Sequence, residues 1–266
     1  MKKLMSHSII VICLIVIAIT LTGCGAKTDF DYIQSKGNLI IGYAYNEPMM
    51  YADENGNLVG FDMEFATEIC KRLGITPVFQ QIDWGAKETE LAAKNIDCIW
   101  AGTTKTPERE KNMDFSTTYL NNYPIMVVRK GSENEFQTSD DIENKTVVAL
   151  VGSTFATIIE SDEIFAKSKP VFVDANEKAL MEVSSGVADI AMIDYVFARV
   201  SIKETTDFKN LAISNTKKFE GEEFGIAFRK NSPETVSKVN AVVEEMKADG
   251  TLKRIAEKYG LEDLLI

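Results

Sequence analysis

The sequence reads as an α/β protein built as two lobes. Short β-rich runs at residues 38–43, 77–82, 96–101, 146–150, 170–173 and 188–193 alternate with segments of helical period. Alternation of this kind implies parallel sheets covered by helices. About 240 residues follow a leader-like start, room for two lobes of ordinary size, and a hydrophobic content of 45% is that of a globular chain. Repeats and low-complexity tracts are absent.

At the amino terminus Lys2 and Lys3 precede an apolar stretch over residues 9–19, then Leu21, Thr22, Gly23 and Cys24. A basic start, a short apolar run and small residues fit a removable export signal, because a spanning helix needs about 20 apolar residues. The Leu21-Thr22-Gly23-Cys24 run resembles the lipobox of bacterial lipoproteins, which implies that Cys24 becomes the lipidated first residue of the mature chain. Two acyl chains there would anchor the protein on the outer face of a membrane. Residues 1–23 are therefore set aside as a signal peptide, and residues 24–35 are expected to form a tether.

Composition then excludes several chemistries. Without the leader the chain holds 27 basic and 40 acidic residues, a formal charge of −13, and no histidine, since the only one is His7. Ser-His-Asp and Cys-His catalysis and His-ligated zinc all need an imidazole. An acidic chain also lacks the Lys and Arg excess that neutralises nucleic-acid phosphates. No cofactor or metal is implied. Cys70 and Cys98 both fall on apolar faces, which favours two buried thiols over a disulfide.

Among the helices, Phe61, Phe65, Ala66, Ile69, Cys70 and Leu73 recur at helical spacing, with Gly74 as a left-handed stop. Ser232-Pro233-Glu234 reads as an N-cap followed by proline at the first helical position, ahead of a stripe of Val236, Val239, Val243 and Met246. These are packing residues. The run over 96–101 differs: it ends in Gly102-Thr103-Thr104, and Thr106-Pro107 opens a helix carrying Arg109. Backbone amides, a hydroxyl and a guanidinium thus converge at the carboxyl edge of a sheet, where α/β folds place ligands. Arg109 can grip a carboxylate with two N–H groups, or else pair with Glu110 or Asp114 on the surface. Asp194 follows the strand 188–193, either as a ligand contact or as an N-cap. Thr154 follows the strand 146–150, within Val151-Gly152-Ser153-Thr154.

Three stretches taken together resemble the family 3 solute-binding proteins, the polar amino acid receptors of bacterial ABC importers. They are Gly56-Asn57-Leu58-Val59-Gly60-Phe61-Asp62 with Lys71-Arg72-Leu73-Gly74; residues 101–109 with Met113-Asp114-Phe115-Ser116; and Ala248-Asp249-Gly250-Thr251-Leu252. The resemblance implies a type II periplasmic-binding-protein fold, two α/β lobes joined by two crossing strands that close about a hinge. Crossing is expected near residues 120–124 and 214–221, giving a first lobe of residues 36–121 plus 220–266 and a second of 122–219.

The same resemblance implies site roles. Arg109 would hold an amino acid's α-carboxylate, with Gly102 and Thr104 beside it and Thr154 contacting the carboxylate from the other lobe. Asp194 would hold the ammonium, and Trp84 would lie over the ligand. Tyr45 and Glu47 would form a second wall. There the sequence departs from the usual pattern: Asn46-Glu47-Pro48-Met49-Met50 replaces a double-proline-aromatic loop, and Ala44 stands where several relatives are acidic. Glu47 then either pairs with a cationic side chain or faces solvent. Trp100 reads as core. The implied function is capture of a small polar amino acid and delivery to an ABC permease by a monomeric receptor without catalysis. Two alternatives share the fold: a cyclohexadienyl-dehydratase-like enzyme with Glu47 as base, and a sensory module of a receptor.

Overall fold

The computed structural model describes residues 28–266. The leader and the lipidation candidate Cys24 lie outside the described residues. Helix α1 (Asp29–Lys36) occupies most of the described part of the expected tether. The Thr28 hydroxyl accepts from the Asp31 amide at 3.1 Å, and the Asp31 carboxylate accepts from the Thr28 amide at 2.9 Å. This reciprocal cap satisfies two donors that a helix start leaves open. Phe30 and Ile33 are buried, and Asp29 pairs with Arg229 at 2.7 Å. The tether expected over 24–35 is corrected accordingly: from Thr28 onward the chain is part of the folded body.

The chain continues through β1 (Asn38–Tyr43), the small antiparallel pair β2 (Tyr51–Ala52) and β3 (Leu58–Val59), α2 (Phe61–Leu73), β4 (Thr76–Gln81), α3 (Lys87–Ala92), β5 (Cys98–Ile99), α4 (Pro107–Asn112) and β6 (Met113–Phe115). After β7 (Leu120–Asn122) it builds a second unit from β8 (Pro124–Arg129), β9 (Thr146–Leu150), α5 (Thr154–Ser161), β10 (Lys169–Val173), α6 (Asn176–Ser185), β11 (Ile190–Asp194), α7 (Tyr195–Ser201) and β12 (Leu211–Ile213). It returns by β13 (Glu222–Phe224) to β14 (Ala227–Arg229), α8 (Pro233–Ala248) and α9 (Thr251–Tyr259).

One sheet has the order β4-β1-β5-β14-β6 and the other β10-β9-β11-β8-β12. β1 is parallel to β4 and β5, and β9 is parallel to β10 and β11, as helical crossovers require. The sheets are not wholly parallel. β14 runs against β5 and β6, and β8 runs against β11 and β12. Each of these strands enters its sheet from a crossing segment rather than over a helix, which reverses its direction. The crossing segments themselves pair as antiparallel β7 and β13, with Glu222 opposite Asn122. The second crossing therefore lies just beyond the 214–221 stretch that the sequence suggested.

The run over 96–101 is a strand only at Cys98–Ile99. Its flanks still follow β1, through Asp97 N–H to the Ile40 carbonyl at 2.7 Å and Trp100 N–H to the Gly42 carbonyl at 3.0 Å. Asp97 is fully buried because it is fully paired: it accepts from the Ile40 amide at 2.8 Å, from Lys36, and from Arg229 at 3.0 Å.

Beneath the first sheet, α2 buries Phe61, Phe65, Ala66, Ile69 and Cys70 and ends at left-handed Gly74. Cys70 and Cys98 are buried free thiols. Trp100 packs edge-on against Phe65 in this core, with ring centres 5.2 Å apart. Helix α8 buries Val239, Val243 and Met246. Ser232 does not cap it through its hydroxyl; its amide instead donates to Asp114 at 2.7 Å. The second sheet has an apolar cluster on each face, one around Val183 and Phe197 and one around Phe155 and Phe165.

Candidate functional site

A small cavity opens where the carboxyl ends of the two sheets meet, the edge at which α/β folds place ligands. From the first unit it is lined by Ala44, Tyr45 and Asn46 after β1, by Trp84, and by Ala101, Gly102, Thr104 and Arg109 around β5 and α4. From the second it receives Leu150, Ser153, Thr154 and Phe155 at the β9–α5 turn, Asn176 at the start of α6, and Asp194 at the end of β11. Phe224 of β13 completes it.

The turn after β5 depends on glycine. Gly102 has φ +61, and a Cβ there would sit 3.2 Å from both the Asn46 side chain and the Phe224 ring. Its amide donates to the Asp62 carboxylate at 2.8 Å, and the Tyr119 hydroxyl donates to the same oxygen at 3.0 Å. The Trp100 indole N–H lies near this carboxylate without reaching hydrogen-bond geometry. Burial pushes the Asp62 carboxyl up to about 7. Asp62, at the start of α2, thus fixes the cavity's backbone from behind. The sequence placed it in a motif without giving it a task.

Arg109 is 8% exposed, and neither Glu110 nor Asp114 is its partner. Those acids pair with Lys105 and Lys230 instead. Helix α4 begins with the Thr106 hydroxyl accepting from the Arg109 amide at 3.2 Å and with Pro107 in its first turn. The guanidinium donates to the Thr104 carbonyl at 2.8 Å and, across the cavity, to the Gly152 carbonyl at 3.2 Å. Burial draws its pKa below the ordinary value, while Glu222 and Glu88 oppose that shift. Lys87 reaches the same Gly152 carbonyl at 2.8 Å and lies over the Trp84 ring, 5.2 Å from its centre. Burial, and then the charge of Arg109, brings the Lys87 ammonium down to about 8.

Asp194 is 2% exposed and is the last residue of β11 rather than the first beyond it. One oxygen accepts from the Phe197 amide at 2.7 Å, so it caps α7 and lines the cavity at once. Burial, and to a lesser degree Glu222, pushes its carboxyl up to about 7. Thr154 opens α5, whose N-cap is Ser153.

Of the eight residues singled out in the sequence, Tyr45, Trp84, Gly102, Thr104, Arg109, Thr154 and Asp194 meet at the cavity. Glu47 is not among its lining residues; its charge instead helps raise the carboxyl of Glu177, after partial burial. Sequence reading missed Asn46, Asn176, Phe155 and Phe224. The Asn176 amide donates to Asn46 across the cavity at 3.4 Å, and its own oxygen is buried without a partner. Glu222 was missed as well. It accepts from Thr104 and Asn122, each at 3.2 Å. The arrangement can seat a small zwitterion, with a cation and two acids around one desolvated space.

Comparison with known proteins agrees with the fold. The family model for bacterial extracellular solute-binding proteins, family 3, matches residues 39–262. The L-cystine-binding protein TcyJ of Escherichia coli is 28% identical over 228 residues, covering 85% of this chain and 84% of its own length. The arginine-binding extracellular protein ArtP of Bacillus subtilis is 31% identical over 251 residues, with 91% and 93% covered. An ABC uptake transporter substrate-binding protein of Streptococcus pneumoniae, solved with bound histidine, superposes with a TM-score of 0.83 at 29% identity, covering 91% of this chain and 99% of its own. The fold is the type II α/β architecture of amino acid-binding proteins, and the chain belongs to the family 3 bacterial extracellular solute-binding proteins.

Proposed function

We propose that this protein is the substrate-binding component of an amino acid ABC importer. It captures a polar amino acid between two lobes and delivers it to a membrane permease. The observation that carries this reading is the placement of Arg109 and Asp194 on opposite sides of one cavity, both almost fully buried and neither paired with an opposite charge among the described residues. A buried guanidinium and a buried carboxylate left apart are costly unless a partner arrives. The α-carboxylate and ammonium of an amino acid supply both partners at once, and only when the two sides are close. The names of TcyJ and ArtP point to cystine and arginine as ligands to test first.

In this reading the first lobe comprises residues 36–121 with 220–266 and the second 122–219, with β7 and β13 as the hinge. Arg109 and the Gly102 backbone hold the carboxylate, Asp194 holds the ammonium, and Trp84 and Tyr45 shape the side-chain space. Cys24 carries the lipid anchor that keeps a monomeric receptor at the membrane's outer face. The protein performs no chemistry on its ligand.

A thermal-shift screen of residues 25–266 against the twenty amino acids, cystine and ornithine tests the proposal, because a ligand specific to the folded state stabilises it by mass action. Stabilisation by a small set of amino acids is expected. A flat screen at millimolar concentration would overturn the reading, and turnover of prephenate or arogenate would replace it with the enzymatic one.

A further inference from the structure

The two units also touch beside the cavity. The Trp84-Gly85 turn ahead of α3 meets the Val151-Gly152 turn between β9 and α5, and the contact is backbone against backbone. A Cβ on Gly152, whose φ is +69, would sit 3.2 Å from the Gly85 Cα and 3.2 Å from the Lys87 Nζ. A Cβ on Gly85 would sit 3.4 Å from a Val151 methyl. Into this contact α3 sends its first residue, Lys87, which is 3% exposed. Gly85, Lys87, Val151 and Gly152 do not line the cavity.

Lys87 is a buried ammonium without a carboxylate partner among the described residues. Within its own unit its Nζ donates to the Trp84 carbonyl at 3.2 Å and lies 5.2 Å from the centre of the Trp84 ring. Its other hydrogen bond crosses to the second unit, to the Gly152 carbonyl at 2.8 Å. An unpaired charge is costly to bury, but the carbonyl and ring of Trp84 hold this one whether or not the units are together. What closure adds is a charge-assisted hydrogen bond to a backbone carbonyl. The same carbonyl accepts from Arg109 at 3.2 Å. One oxygen of the second unit thus receives two cations of the first, Arg109 from the cavity lining and Lys87 from outside it.

We propose that Lys87 and Gly152 form a clasp between the two units: the Lys87 ammonium, held in place by Trp84, closes on the Gly152 carbonyl and favours the closed arrangement without touching the ligand. A contact of this kind is made equally with every ligand. It raises the population of the closed state, and so the affinity for all ligands, by one common factor, and it takes no part in choosing among them. The affinity arm of the test below rests on the amino acid-binding reading above; the clasp itself does not.

Lys87→Met keeps a long apolar stem and removes the ammonium. Gly152→Ala breaks the same contact from the other unit. Dissociation constants for arginine, histidine and cystine are measured by calorimetry in wild type, both variants and the double variant. Lys87→Met is expected to weaken every amino acid that binds wild type by about tenfold, with the factors agreeing within about twofold. The loss should appear in stopped-flow kinetics as faster dissociation. In the Gly152→Ala background Lys87→Met is expected to add almost nothing, because the two residues act through one contact. A second arm needs no ligand: single-molecule energy transfer between dyes on Thr67→Cys of the first unit and Met181→Cys of the second, both exposed positions. The closed fraction is expected to fall in Lys87→Met and in Gly152→Ala.

Unchanged affinities in Lys87→Met, with or without a lowered melting temperature, overturn the clasp and leave the receptor reading intact. A loss confined to one amino acid also overturns it, since Lys87 would then act through the Trp84 ring on a particular side chain. If no amino acid binds wild type, the receptor reading falls and energy transfer alone decides: a closed fraction that falls in both variants supports the clasp, and one that stays the same or rises in Lys87→Met overturns it.

Discussion

Two buried aspartates flank the cavity and differ in what surrounds them. Asp62 lies behind the turn after β5, and Asp194 lies at the tip of β11 on the opposite side. Burial pushes each carboxyl up to about 7. Asp62 receives the Gly102 amide and the Tyr119 hydroxyl on one oxygen and does not line the cavity. Asp194 receives the Phe197 amide and does line it. A raised carboxyl alone therefore does not mark a binding residue. Remaining capacity to accept, directed at empty space, is what separates a ligand contact from a strut.

The largest expected effect tests that separation on the binding side. Arg109→Ala is expected to abolish binding of every amino acid, and Asp194→Asn to weaken it by at least about 100-fold, the scale for removing one partner of a desolvated ionic pair. Calorimetry with arginine, cystine and histidine reads both. Asp62→Asn keeps an acceptor for the Gly102 amide and is expected to leave binding within a few-fold of wild type. Equal losses from Asp62→Asn and Asp194→Asn would erase the distinction. Next in size is the stability of Asp62→Ala. It leaves the Gly102 amide and Tyr119 hydroxyl buried without an acceptor, a loss of about 3 kcal/mol in denaturant unfolding.

Much of this difference was legible in the sequence, and the remainder has identifiable causes. Local signals sufficed where a residue's role is set by its own element: Thr106-Pro107 as a helix start, Gly74 as a stop, and Asp194 at a strand end. They failed where the role depends on a partner far along the chain. Asn46 and Asn176 meet across 130 positions, and nothing in either loop announces the other. Glu222 was passed over because the second crossing was placed at 214–221, before the strand that pairs with β7. Helix α1 was read as tether because its eight residues are mostly polar, and its anchors, Arg229 and the core around Ile33, are contributed by other parts of the chain.

A smaller effect, about 2 kcal/mol, comes from pH. An aspartate whose carboxyl is higher in the folded protein than in the unfolded chain binds more protons when folded, so stability falls as pH rises from about 4 through about 7. Both aspartates act in this sense. Without ligand, Asp194→Asn is expected to become the more stable protein at pH 8 relative to pH 5 by about 2 kcal/mol. An ammonium placed against Asp194 lowers its carboxyl again, so ligand binding at pH 7 is expected to release protons. Calorimetry in buffers of different ionisation enthalpy reads that release, which should persist in Asp62→Asn and vanish in Asp194→Asn.

The smallest effect concerns Glu47, the acid that the sequence singled out and the cavity lining omits. Its charge is felt by Glu177 and Tyr51 rather than by Arg109 or Asp194. A carboxylate at that remove acts on a ligand through screened, partly aqueous space, where a unit charge contributes about 1 kcal/mol or less. Glu47→Gln is therefore expected to change affinity for arginine by less than about fivefold and for neutral amino acids by less still. The arginine effect should shrink in 0.5 M salt relative to 0.05 M, whereas the Arg109 and Asp194 effects should persist, because buried charges are screened far less. A loss of 100-fold or more from Glu47→Gln, insensitive to salt, would instead place this carboxylate against the ligand's side chain.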